Sequence, residues 1–128
     1  MSGLIDEKDA VGKTAEIYKD IEKHFGMVPN FFKAQAAVDA DWLELNWKRL
    51  KQIMLADGGL DRKTRELIAY AVSAVNDCGY CKTAHENMAR MNGATDREFR
   101  QTQQIVELFC SFNAIADTLD VPLDAAGE

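Results

Sequence analysis

The chain has 128 residues, with 15 Lys and Arg against 21 Asp and Glu, a formal net charge of −6 at neutral pH. That balance argues against nucleic-acid or anionic-membrane binding, which needs clustered Lys and Arg to meet phosphate. Hydrophobic residues at 47% and charged residues at 28% are ordinary for a globular protein, and one domain over residues 1–128 is expected.

Residues 1–8 read as a loose lead-in. The opening MSGLIDEKDA is polar and acidic, without the apolar run of a secretory leader, and no stretch has membrane-spanning length. The expected location is therefore the cytoplasm, where thiols are kept reduced. A helical stripe follows over residues 9–25, formed by Val11, Ile17, Tyr18, Ile21 and Phe25, with Gly26 as its stop. Pro29 makes residues 27–30 a connector, and residues 31–38 read as a short helix. Asp39 or Asp41 caps the next helix, which runs to about Ala56 on the stripe Leu43, Trp47, Leu50 and Met54. Trp42, Trp47, Phe31 and Phe32 are expected in the core or at a subunit interface.

Asp57-Gly58-Gly59 breaks that helix, and Asp61 is the candidate cap of the one carrying Glu66. Leu67, Ile68, Ala71, Val72 and Val75 cover so much of its circumference that it is expected to be mostly buried. Asn76-Asp77 ends it, and a helix over residues 78–91 follows, stopped by Asn92-Gly93 in a left-handed turn. Thr95 and Glu98 form a capping box that launches a long last helix. Its stripe is Ile105, Leu108, Phe109, Phe112, Ile115 and Leu119, Pro122 ends it, and LDAAGE is a short acidic tail. No stretch alternates with period two, so the expected fold is all-α, with five or six helices.

The chemistry concentrates in one stretch, which holds two of the three cysteines and one of the two histidines. Cys78 and Cys81 are a Cys-x-x-Cys pair, able to close a disulfide or share a metal. His85 lies four residues after Cys81, on the same helix face. Glu66 lies twelve residues before Cys78 and can approach only if its helix folds back. A carboxylate on so apolar a helix needs a partner, or it takes up a proton; either way it can orient His85 or relay a proton. Cys78 sits where a helix N-terminus favours a thiolate. A thiolate with a general base and a second thiol can reduce a peroxide through a sulfenic acid that the neighbouring thiol resolves.

Glu66, Cys78, Cys81 and His85, read as E-x11-C-x2-C-x3-H, resemble the signature of the alkylhydroperoxidase D (AhpD)-like, or carboxymuconolactone decarboxylase-like, family. The flanks RELIAYAVSAVNDCGYCKTAH, MARMNGATDREF and MVPNFFKA are similar too, so the resemblance covers roughly residues 25–115. It implies an all-helical fold assembled as a homo-trimer or homo-hexamer. It also implies thiol-dependent reduction of hydroperoxides, with recycling by a lipoyl- or thioredoxin-type reductant protein and no cofactor or metal. On it, Cys81 matches the peroxide-attacking thiol, Cys78 its resolving partner, and His85 and Glu66 the proton relay. Helix-terminus electrostatics alone would instead make Cys78 the more acidic thiol. The family's founding peroxidase has a histidine immediately before the second cysteine, where this chain has Tyr80, a poor base near neutrality.

Other readings stand beside this one. The decarboxylase side of the family acts on a lactone acid without redox thiols. Zinc could take two thiols, an imidazole and a carboxylate, giving a metal-binding or redox-sensing module. A purely structural oligomeric scaffold is the third. Cys110, beside Phe109 and Phe112, reads as inert core, His24 as a cation suited to a helix end, and Arg62-Lys63 as solvated surface.

Overall fold

A computed structural model describes residues 3–124, and among them it contains six α-helices and no strand. The chain divides into two compact units, the boundary falling between Asp57 and Gly58.

In the first unit, α1 (Gly12–Phe25) buries Ile17, Tyr18 and Ile21 along one face. It ends at Gly26, whose φ of 76° suits a residue without a Cβ and whose N–H reaches Glu22 O at 2.7 Å. The helix starts later than the apolar stripe suggested, because a 3-10 turn at Glu7–Asp9 precedes it. The lead-in is also less loose than expected. Tyr18 Oη donates to Ile5 O at 2.7 Å, and Ile5 N donates to Lys33 O at 3.2 Å. Met1 and Ser2 lie outside the described residues.

Pro29, extended at φ −61°, leads into α2 (Asn30–Val38), which buries Phe32 and Ala36 and leaves Phe31 about half exposed. Asp39 then caps α3 (Ala40–Leu50) by accepting from Trp42 N at 3.2 Å. This helix gives way to a π-turn at Lys51–Leu55 rather than continuing to Ala56. Leu43 and Trp47 close the core with Ile17, Tyr18, Ile21, Val28, Phe32 and Ala36. The Trp47 ring meets Phe25 and Phe32 edge-on at 5.5 and 5.4 Å, and its Nε1 donates to Asp20 at 2.8 Å. Trp42 stays about half exposed. Leu43 is completely buried. Leu43→Ala is therefore expected to cost about 2–5 kcal/mol in denaturant unfolding; a change below about 1 kcal/mol would contradict this packing.

In the second unit, Asp61 caps α4 (Arg62–Val75), accepting from Thr64 N at 2.8 Å. The helix closes with a Schellman pair, in which Asp77 N donates to Ala74 O at 3.3 Å and Cys78 N to Ser73 O at 3.0 Å. Asp77 occupies the left-handed position, φ 56°, which short polar side chains tolerate better than other non-glycine residues. The tight reversal lays α5 (Gly79–Met91) alongside α4. A second Schellman pair around Gly93, φ 96°, ends α5. The capping box of α6 (Asp96–Thr118) is complete, with Glu98 N donating to Thr95 Oγ1 at 3.1 Å and Thr95 N to Glu98 Oε1 at 2.8 Å. Tyr70, Ala89, Ala94 and Phe99 form the core of this unit. The last helix stops at Thr118, ahead of Pro122, and of the acidic tail only Leu123 and Asp124 are described.

Burial differs from the sequence expectation on α4 and α6. Ile68, Val72 and Val75 of α4 are about half exposed rather than mostly buried. The α6 stripe from Ile105 to Leu119 is 40–68% exposed, and Cys110 is an exposed free cysteine, not core. Phe99, near the N-terminus of α6, is the only buried residue of that helix, so its apolar C-terminal half lies outside the core of this unit. A groove of about 370 Å³ lies between the two helices, lined by Val72, Val75, Ile105, Phe109 and Cys110.

Candidate functional site

The α4–α5 pairing brings together two residues that stand nineteen positions apart in sequence. Glu66, midway along the first turns of α4, is 1% exposed, and its Oε1 lies 2.7 Å from His85 Nδ1 on α5. Its Oε2 accepts from Arg62 Nε at 2.8 Å, one turn back on the same helix. Both carboxylate oxygens are thus occupied. Burial alone would push the Glu66 carboxyl up. The hydrogen bonds from His85 and Arg62 outweigh it and hold the group below the ordinary glutamate value. An ionised Glu66 only accepts, so His85 Nδ1 carries the proton of that bond. In the uncharged ring, Nε2 is then the acceptor nitrogen.

Cys78 is the N-cap of α5, and its Sγ accepts from Cys81 N at 3.3 Å. The first orphan amides of a helix favour negative charge on that sulfur once it is reduced. Cys78 and Cys81 are joined as a disulfide, with Cα atoms 5.3 Å apart, inside the range such a bond spans without backbone movement. Both cysteines are partly exposed, so a partner in solution can reach them. His85, also partly exposed, follows Cys81 by one turn on the same face of α5. Tyr80 is half exposed at the first turn of that helix.

The four residues singled out from sequence therefore fall on two packed helices, with Glu66 and His85 in contact and the two thiols bonded to each other. The residue that reading the sequence missed is Arg62. In the sequence it reads as part of a solvated charge run, yet it is the second partner of the buried carboxylate, and its Nη2 lies 3.9 Å from Met88 Sδ of α5. Its position four residues before Glu66 was the available signal. Lys63, the other member of that run, pairs with Glu98 of α6 at 2.8 Å. Among the described residues, no group of three or more His, Cys, Asp or Glu is arranged to hold a metal ion. No helix among them is long and apolar enough to cross a membrane.

Residues 36–124 match the sequence model of the Carboxymuconolactone decarboxylase family. The alkyl hydroperoxide reductase AhpD of Maricaulis maris is 39% identical over 71 residues, which are 56% of this chain and 39% of that protein. An uncharacterised protein 4 in the cox locus of Paracoccus denitrificans is 36% identical over 69 residues, 54% of this chain and 58% of that one. The chain thus spans less than two thirds of the length of these curated relatives. Among solved structures, the alkylhydroperoxidase AhpD core from Rhodospirillum rubrum superposes with a TM-score of 0.91 at 30% identity, over 97% of this chain and 93% of that chain.

Proposed function

The chain belongs to the carboxymuconolactone decarboxylase family, and on that premise we propose that it is a thiol peroxidase of the AhpD type. The observation that carries this reading is a Cys-x-x-Cys pair at a helix N-terminus, one turn from a histidine held by a buried, ionised glutamate. A lactone-acid decarboxylase has no use for a pair of thiols able to close a disulfide.

The chemistry proceeds from the reduced pair. His85 Nε2 takes the Cys81 proton, and the thiolate attacks the outer oxygen of a hydroperoxide. The O–O bond breaks, the alkoxide leaves with a proton as the alcohol, and Cys81 becomes a sulfenic acid. The Cys78 thiolate, favoured by the α5 amides, then attacks the Cys81 sulfur and releases water, closing the disulfide. A dithiol reductant protein of lipoyl or thioredoxin type opens it by exchange and is itself oxidised. Proton transfer along Cys81, His85 and Glu66 supplies about a 100-fold to 10,000-fold acceleration in such sites. The stoichiometry tests the scheme. One equivalent of hydroperoxide should consume two thiols per chain and yield one alcohol, and loss of a single thiol per peroxide would overturn it.

The same proposal assigns the exposed apolar face of α4 and α6 to further copies of this chain. Half-exposed Val72, Val75, Ile105, Phe109 and Phe112 form a continuous apolar surface of the kind monomers seldom leave in water. Phe109→Glu should lower the sedimenting mass to that of one chain while helical circular dichroism persists. A wild-type protein that already sediments as one chain would contradict the assembly.

A further inference from the structure

Arg62 has no step in the reaction just described, yet it is bonded to the most deeply buried ionisable group of the second unit. Glu66 has one partner on each oxygen, His85 at 2.7 Å and Arg62 at 2.8 Å. The guanidinium is itself placed by Met88 Sδ, 3.9 Å from Nη2. We propose that Arg62 is the positioning residue of the relay, its fixed charge balancing Glu66 so that His85 can act as a neutral base. The inference rests on the peroxidase reading only for the identity of the proton donor, Cys81.

The charge count makes the case. With Arg62 present, the trio is neutral when Glu66 is ionised and His85 is uncharged. Remove Arg62 and the same carboxylate is an unbalanced buried charge, which the pair relieves by taking up a proton. That proton has two places to go. On His85 it makes an imidazolium. On Glu66 it makes an O–H that donates to Nδ1 and shifts the ring proton to Nε2. In either form Nε2 already carries hydrogen and can accept none from Cys81.

Among the described residues, the charged groups facing Glu66 are Arg62 from α4 and His85 from α5. The nearby charges on the packed helices are spent elsewhere, Lys63 on Glu98 of α6 and Glu86 on Arg90. Among the described residues, Arg62 and His85 are the cations paired with Glu66, and no third one pairs with it. Lysine at this position keeps the charge but not the planar fork, so it should restore the charge balance and part of the geometry.

The experiment uses the reduced full chain as wild type, Arg62→Met, Arg62→Lys and Glu66→Gln. The first readout is hydroperoxide-dependent thiol loss against pH. Arg62→Met should move the acid limb up by about 1 pH unit and slow the reaction roughly tenfold at neutral pH, and Arg62→Lys should return most of both. A uniform loss at every pH with the limb unmoved would overturn the inference and leave Arg62 a structural residue. The second readout needs no turnover. Infrared difference spectra at neutral pH should show a protonated carboxyl or an imidazolium in Arg62→Met that wild type, Arg62→Lys and Glu66→Gln lack. Spectra of wild type and Arg62→Met that match would also overturn it. A wild type no faster than free cysteine defeats the peroxidase reading instead, while the infrared comparison still decides the role of Arg62. Should Arg62→Met fail to fold, Arg62→Gln carries both readouts.

Discussion

Replacing Cys81 by serine is expected to abolish rapid reaction with hydroperoxides, and replacing Cys78 by serine is expected to stop the reaction one step later. The asymmetry follows from the proposed order of events. Serine at position 81 removes the nucleophile that shares a helix face with His85, so peroxide consumption should fall at least about 100-fold, to the level of an unassisted thiol. Serine at position 78 leaves the attack intact but removes the resolving thiol, so a sulfenic acid should accumulate on Cys81. A sulfenic-acid trap followed by mass spectrometry reads the difference, with one adduct per chain in Cys78→Ser and none in Cys81→Ser. The N-cap position of Cys78, with its Sγ on an α5 amide, gives the opposite order a physical basis. An adduct on Cys78 in Cys81→Ser would therefore reverse the two roles without disturbing the rest of the scheme.

Glu66→Gln is expected to affect both rate and stability. Glutamine keeps the size and one acceptor for His85 Nδ1–H but loses the charge, so the rate of peroxide reduction should fall about 100-fold with the helical fold intact. Arg62 and His85 remain partly exposed and can turn to water, at 30% and 26% side-chain exposure, so the stability loss should be moderate, about 1–3 kcal/mol. The pH dependence has a definite sign. Glu66 has its folded-state pKa depressed, so its contribution is complete above the ordinary glutamate range and is lost as the pH falls through the depressed value. The stability gap between wild type and Glu66→Gln, read from denaturant unfolding, should accordingly be widest near neutrality and narrow in acid. A gap that widens in acid would show the carboxyl to be protonated when folded.

The parts of the fold that were legible in the sequence are those governed by local chemistry. Asp61 and the Thr95–Glu98 box each cap the helix they were expected to cap, and of the two candidates Asp39 and Asp41 it is Asp39 that caps α3, because a short polar side chain at a helix start meets amides within three residues. The left-handed endings at Gly26 and Gly93 were legible for the same reason. The need of Glu66 for a partner was also readable, since an apolar helix leaves a carboxylate few options.

What was not legible depends on tertiary context. Periodicity shows which face of α6 is apolar but not whether it is covered, so Cys110 reads as core in the sequence and is exposed in the structure. The same limit misplaced Ile68, Val72 and Val75. Arg62 looked like surface because its neighbour Lys63 is cationic too. Only the packing of α5 against α4 shows that one of the two turns to a buried carboxylate and the other to Glu98.

The most direct test of the account is stopped-flow oxidation of the fully reduced, metal-free protein by hydrogen peroxide and by an organic hydroperoxide, against free cysteine at the same pH. The account predicts loss of both Cys78 and Cys81 thiols at least about 100-fold faster than free cysteine, with Cys110 untouched. Oxidation no faster than free cysteine, or oxidation that spares Cys81, would contradict it.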